Sequence, residues 1–146
     1  MSTPARPHWS ELVPHAGAMC LLDHVLDWND RTVHAIAQRH GLHDHPLRYA
    51  AGLHAVHLAE YGAQASAVHA ALLAASRDEA RMRPGRLVSL RDVHLAVEYV
   101  ELSRGRLDVH AECLFADERG AQYTFSVLQN GQPLASGRTA VMYTDA

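Results

Sequence analysis

Glu60 is the only Asp, Glu, Lys or Arg between Gly52 and Ser76. The surrounding segment, GLHAVHLAEYGAQASAVHAALLAAS, is rich in alanine, which favours helix and lets neighbouring backbones approach closely. A helix uncharged on nearly every side is a buried helix, so the sequence predicts one carboxyl group inside the core. Such a group must be paired, neutralised or put to use. His57 lies three residues before it on the same helical face, so a Glu60–His57 pair would satisfy it without chemistry. His54, His57 and Glu60 step at i, i+3 and i+6, a spacing that a metal site can use. Three such residues on one helix more often pack or pair, and no metal is expected.

Composition narrows the chemistry further. The 146 residues carry a formal charge of −3, with 48% hydrophobic and 20% charged residues. This suits a single globular domain over 1–146 and gives no reason to expect nucleic acid. There is no lysine, which excludes Schiff-base catalysis and a P-loop. The 12 histidines are scattered, so only a subset can be chemical. Cys20 and Cys113 stand far apart in apolar surroundings and read as free thiols. His54, His57, Gln64, His69 and Glu60 interrupt the helix too often for a membrane span. No N-terminal apolar signal is evident, so a cytoplasmic setting is expected.

The elements that position Glu60 follow from periodicity. Residues 1–7 read as a loose arm, and His8 to Val13 as a helical turn stopped by Pro14. Cys20 to Trp28 and Thr32 to His40 form a hairpin about Asn29-Asp30. Gly41 to Ala51 is a loop holding His43 and His45, and the long helix follows. Arg77 to Gly85 connects to four strands. They are Leu87 to Val100, Leu107 to Phe115, the run around Tyr123, Phe125 and Val127, and Leu134 to Tyr143. Turns are expected at 103–105 and 118–120, with Asn130-Gly131 a strong hairpin signal. Gly137 suggests a bulge. Strands with one helix imply an α+β fold, an antiparallel sheet wrapped round the helix. Its open edge and the uncovered helix flank predict a symmetric dimer.

Several segments carry a resemblance. They are Leu12-Val13-Pro14-His15-Ala16-Gly17-Ala18-Met19-Cys20-Leu21-Leu22-Asp23, His45-Pro46-Leu47-Arg48 with Gly52-Leu53, Glu60-Tyr61-Gly62-Ala63-Gln64-Ala65, and Val68-His69. Pro84-Gly85-Arg86-Leu87, Arg91-Asp92-Val93 and Ser136-Gly137-Arg138 extend it over nearly the whole chain. Together they resemble the hotdog-fold 3-hydroxyacyl-carrier-protein dehydratases, and more closely the dehydratase-like family of aryl polyene biosynthesis clusters. The resemblance implies a hotdog fold and an active site of a loop histidine and a helix glutamate from opposite protomers. Glu60 and Gln64 fall on the helix carboxylate and its glutamine, and His45 on the loop histidine. The fatty-acid synthesis dehydratases set that histidine in Gly-His-Phe-Pro. This chain has Asp44-His45-Pro46, and His43 is an alternative.

The expected reaction is dehydration of a 3-hydroxyacyl thioester on acyl carrier protein to the trans-2-enoyl thioester, without a cofactor. His45 is expected as base, Glu60 as an acid kept protonated by burial, and Gln64 as the group that orients it. Gly52 and Leu53, at the expected helix start, would offer backbone N–H groups to the enolate oxygen. Arg48 and Arg138 are candidates for the phosphopantetheine phosphate or an acidic carrier, and the 81, 83 and 86 arginines for carrier docking. His15 is placed at the substrate side, with anchoring of the N-terminal turn as its plainer role. The partner is a second copy or another hotdog protein. Two other readings stand beside this one: a hotdog acyl thioesterase, and a non-catalytic subunit that stabilises a partner.

Overall fold

Alternation of apolar and polar side chains builds the sheet. In the computed structural model, which describes residues 20–41, 45–49, 52–77, 85–103 and 105–143, six strands and one long helix form. The strands are β1 (His24–Trp28), β2 (Thr32–Ala37), β3 (Gly85–Leu95), β4 (Leu107–Ala116), β5 (Gly120–Gln129) and β6 (Gln132–Tyr143), and α1 is Leu58–Ser76. The strands pair antiparallel in the order β1-β2-β4-β5-β6-β3. Leu107, Val109 and Ala111 of β4 and Tyr123, Phe125 and Val127 of β5 turn inward and are buried against α1. This is the α+β architecture expected of a hotdog fold: a curved antiparallel sheet holding one helix.

Two glycines seat that helix. A Cβ on Gly62 of α1 would lie 2.3 Å from Cγ of Phe125, and one on Gly137 of β6 would lie 2.8 Å from the same ring. Phe125 is therefore clasped between helix and strand, where only hydrogen fits. The irregularity expected at Gly137 lies on its β3 side. Gly137 pairs regularly with Phe125 of β5, but the β3–β6 register slips between the Arg91–Arg138 and His94–Ser136 pairs, so that Asp92, at φ 52°, and Val93 stand opposite the glycine. The glycine also answers the close approach of an aromatic ring. At the hairpin, Asn130 (φ 51°) and Gly131 (φ 76°) both take the left-handed conformation that a two-residue turn requires.

Several boundaries differ from expectation, each for a local reason. β1 starts at His24 rather than Cys20, because Leu21 and Leu22 dive into the core as irregular chain. β2 stops at Ala37, because the Asp23 carboxylate takes the Gln38 N–H (2.6 Å) and the Arg39 guanidinium (2.8 Å). A 3-10 turn, Arg39–Gly41, follows. The helix also starts late. Ala55–His57 is a 3-10 turn capped by His54, whose Nδ1 accepts the Val56 N–H at 3.0 Å, and α1 proper begins at Leu58. β3 ends at Leu95. Beyond it the chain straps the helix entrance, with Ala55 N–H donating to the Glu98 carbonyl (2.8 Å) and Val100 N–H to the Leu53 carbonyl (2.9 Å). The 103–105 turn does not close a hairpin, since β3 pairs with β6 at the far edge of the sheet.

The helix covers β2, β4 and β5 more than β6 and β3. Leu87, Leu90 and Leu95 of the edge strand consequently stay 47%, 42% and 39% exposed. Their register partners are Val141, Thr139 and Ala135, of which Thr139 and Ala135 are buried. Glu60, Ala63, Ala67, Ala70 and Ala74 form a half-buried stripe along α1.

Candidate active site

The site begins with the first turns of α1. Successive helix residues diverge by about 100°, so Glu60 and Tyr61 face different surroundings. Tyr61 is fully buried, whereas Glu60 is only half-buried. The expectation of a core carboxyl group is corrected to a carboxyl at the edge of the core, on the flank that the sheet leaves open. One turn on, buried Gln64 reaches back. Its Nε2 donates to Glu60 Oε1 at 3.1 Å, and its Oε1 accepts the Leu21 N–H at 2.9 Å. The Leu21 amide settles which way the Gln64 amide faces, since a backbone donor needs the oxygen. The nitrogen must then point at Glu60.

The loop histidine docks on the neighbouring residue. His45 is 8% exposed. Its Nε2 lies 2.9 Å from the Tyr61 hydroxyl, and its Nδ1 accepts the Leu47 N–H at 3.2 Å. The two rings lie in nearly parallel planes, 5° apart, with their centres 6.2 Å from one another. Burial holds the His45 imidazole below its ordinary value, and the nearby His40, Arg39, Arg48 and His57 push the same way. Burial also drives the Tyr61 phenol far above its usual range, so it keeps its proton. A ring that stays neutral near pH 7 is what a base needs.

The other expected residues are placed as follows. The Arg48 guanidinium donates to the Gly41 carbonyl at 2.8 Å, within the loop. Gly52, at φ +112°, exchanges two hydrogen bonds with Tyr49, its own N–H going to the Tyr49 carbonyl at 2.8 Å. Gly52 and Leu53 thus precede the helix rather than start it, and the Gly52 N–H is engaged. Arg138 lies on β6, its guanidinium 3.7 Å from Asp92. His57 lies beside Tyr49, with ring centres 6.5 Å apart. His15, His43, Arg81 and Arg83 lie outside the described residues. Among the described residues no group of three or more His, Cys, Asp or Glu is arranged to hold a metal. No helix among them is long and apolar enough to cross a membrane. Cys20 and Cys113 are free and half-buried.

Sequence reasoning missed two residues here. Tyr61 was visible beside Glu60, and a buried tyrosine hydroxyl needs a partner, but the loop that supplies it has no periodicity to read. His40 is buried beside the Gly105 carbonyl, and neither ring nitrogen makes a well-aligned hydrogen bond among the described residues. Below the site, His69 ties three elements together. Its Nε2 donates to the Asn29 carbonyl (2.8 Å), and its Nδ1 accepts from the Tyr123 hydroxyl (2.7 Å).

Burial depresses the imidazoles of His40, His45, His69 and His110. Unfolded histidines titrate near ~6.5, so on acidification the unfolded chain binds protons that the folded chain refuses. The stability these groups contribute is complete above about pH 6.5 and falls away below it, toward their depressed folded values. Urea midpoints measured at about pH 7.5 and about pH 5.5 should differ, with the acidic one lower. Equal midpoints would contradict the burial assigned to these rings.

The sequence matches the ApeP-like family, described as ApeP dehydratase, over residues 7–146. The chain belongs to the ApeP-like dehydratase family. Comparison with curated protein sequences returns no match. Among solved structures, this ApeP-like chain is similar to the dehydratase heterocomplex ApeI:P from Xenorhabdus doucetiae. The TM-score is 0.84 at 24% identity, over 97% of this chain and 93% of that one. It is also similar to a hypothetical thioesterase with coenzyme A from Streptococcus pneumoniae, at TM-score 0.59 and 12% identity, over 83% and 84% of the two chains. A third is a putative thioesterase from Syntrophus aciditrophicus, at TM-score 0.61 and 11% identity, over 83% and 82%. At these identities the structural matches establish the shared fold.

Proposed function

We infer that this chain dehydrates 3-hydroxyacyl thioesters carried on acyl carrier protein, giving trans-2-enoyl thioesters in aryl polyene or fatty-acid-like synthesis. The observation that carries this reading is the Glu60–Gln64 clamp in the helix of an ApeP-like dehydratase family member. His45 takes the proton alpha to the thioester carbonyl. The electrons of that C–H bond form the new double bond as the 3-hydroxyl leaves, and Glu60 donates the proton that makes it water. The proton gained by His45 returns to Glu60 through solvent. Nothing is oxidised or reduced, so no cofactor is needed. The Leu53 backbone N–H is assigned to the thioester carbonyl and Gly52, whose own N–H is held by Tyr49, to shaping its approach, while Arg48, His15 and Arg138 are assigned to the carrier arm and its phosphate.

The site is completed by a second hotdog protomer, a copy of this chain or a different partner. The supporting features are the open β3 edge with its uncovered leucines and the half-buried flank that carries Glu60. The heterocomplex ApeI:P is a precedent for such a pairing in a similar protein. Two free thiols fit a reducing, cytoplasmic setting. A thioesterase reading also has support, in the neighbours of that name and in a carboxylate able to activate water. A subunit that only stabilises a dehydratase partner is the third reading. One assay separates them. The protein, alone and with a candidate hotdog partner, is incubated with 3-hydroxyacyl carrier proteins of several chain lengths and examined by mass spectrometry. The acyl carrier is expected to lose water. Release of the acyl group instead would mark a thioesterase. Water loss only with the partner present, unchanged by substitutions in this chain, would mark a stabilising subunit.

A further inference from the structure

We propose that Tyr61 is a positioning residue that holds His45 by accepting the hydrogen of its Nε2–H tautomer, so that the ring's lone pair lies on Nδ1. A neutral imidazole has one donor and one acceptor nitrogen. Leu47 offers Nδ1 an N–H, at 3.2 Å, and a backbone amide can only donate. Nδ1 is therefore the acceptor and Nε2 carries the hydrogen. The Nε2–H then donates to the Tyr61 oxygen, 2.9 Å away on a ring parallel to the imidazole. Tyr61 is suited to the task because it is fully buried and rooted in the first turns of α1. The loop histidine is thereby registered to the residue next to Glu60. The Leu47 bond is local and long, the weaker of the two, so it is the one that yields when a substrate proton arrives.

The catalytic consequence rests on the dehydratase reading above: Nδ1 becomes the atom that accepts the alpha proton. The tautomer does not rest on it and can be read without substrate. Nitrogen-15 spectra of the full chain, at a pH where His45 is neutral, should show a single Nε2–H form. In Tyr61→Phe, which removes only the hydroxyl, the Leu47 amide still selects that form, but the Nε2–H signal should shift and its hydrogen should exchange with water faster. Turnover should fall about 5- to 10-fold with KM little changed, the scale of one lost buried hydrogen bond. The acid limb of the rate profile should also move to lower pH, because the Tyr61 oxygen favours the charged ring most. His40, Arg39, Arg48 and His57, the groups facing His45, are untouched by this change. A purely structural tyrosine would alter the melting temperature but neither the Nε2–H signal nor the pH limb. An Nδ1–H form in the wild-type spectrum overturns the proposal, even if Tyr61→Phe does not fold. An Nε2–H signal of unchanged position and exchange rate in a folded Tyr61→Phe does so as well. A single Nε2–H form in the wild type whose signal shifts in the variant upholds it; if no dehydration accompanies it, the functional reading fails and the positioning role stands.

Discussion

Glu60→Gln is expected to cut turnover of a 3-hydroxyacyl carrier protein about 10²–10⁴-fold, the usual contribution of one general acid. The substitution keeps shape and removes the acidic proton. A Gln at this position still presents an oxygen to Gln64 Nε2, now 3.1 Å from the carboxyl oxygen, so the geometry of the first helical turns is preserved. Glu60 is half-buried at the helix flank, and its neutral replacement should leave the melting temperature almost unchanged. The informative measurement is kcat for wild type and variant beside a thermal melt of each. Activity within a few-fold of wild type in the folded variant would remove Glu60 from the mechanism. If both proteins release free acyl chains rather than losing water, the carboxylate serves hydrolysis.

The largest effect on stability is expected at Phe125. Truncation to alanine should cost about 3–5 kcal/mol, from lost transfer energy and the cavity left behind. Neighbours that could collapse into the space are lacking on two sides, where Gly62 and Gly137 already present bare backbone to the ring. The companion substitution Gly62→Ala tests the same contact from the helix side. In an exposed helix it would be favourable by about 1 kcal/mol. Here the added carbon would lie 2.3 Å from the ring, and overpacking of this kind costs about 1–3 kcal/mol. Urea unfolding of both variants provides the check. A Gly62→Ala protein more stable than wild type would mean that the helix can ride further from the sheet than it does here.

Much of the architecture was legible because it is local. β5 alternates throughout and β4 over its first half, and Asn130-Gly131 announces the turn into β6, so three of the six strands need only local reading. What the chain does over long range was not legible. Nothing in Leu87 to Leu95 states that this strand passes its sequence neighbour and joins β6, because pairing is decided by which edge remains open. Gly137 could be tied to a sheet irregularity, but a sequence cannot display the ring lying over it. Glu60 and Gln64 could be found as a helical i, i+4 pair. His45 could be named only through the resemblance, and its bonds to Tyr61 and Leu47 come from a loop whose course no periodicity dictates. The helix start was misjudged for a related reason: His54 caps a 3-10 turn, a job that its residue type does not advertise.

The Gln64 side chain has a further consequence. Its amide is a single rigid plane that meets the Leu21 backbone with one edge and the Glu60 carboxyl with the other. The amide hydrogen of Leu21 is therefore an intrinsic reporter, sheltered from exchange for as long as the plane stays seated. Its deuterium uptake reads the alignment of a side chain 43 positions further along the chain, without a substrate, a label or a substitution in the helix. The same plane carries influence the other way: a molecule that pulled on the chain leading into Leu21 would turn the acid group without touching it.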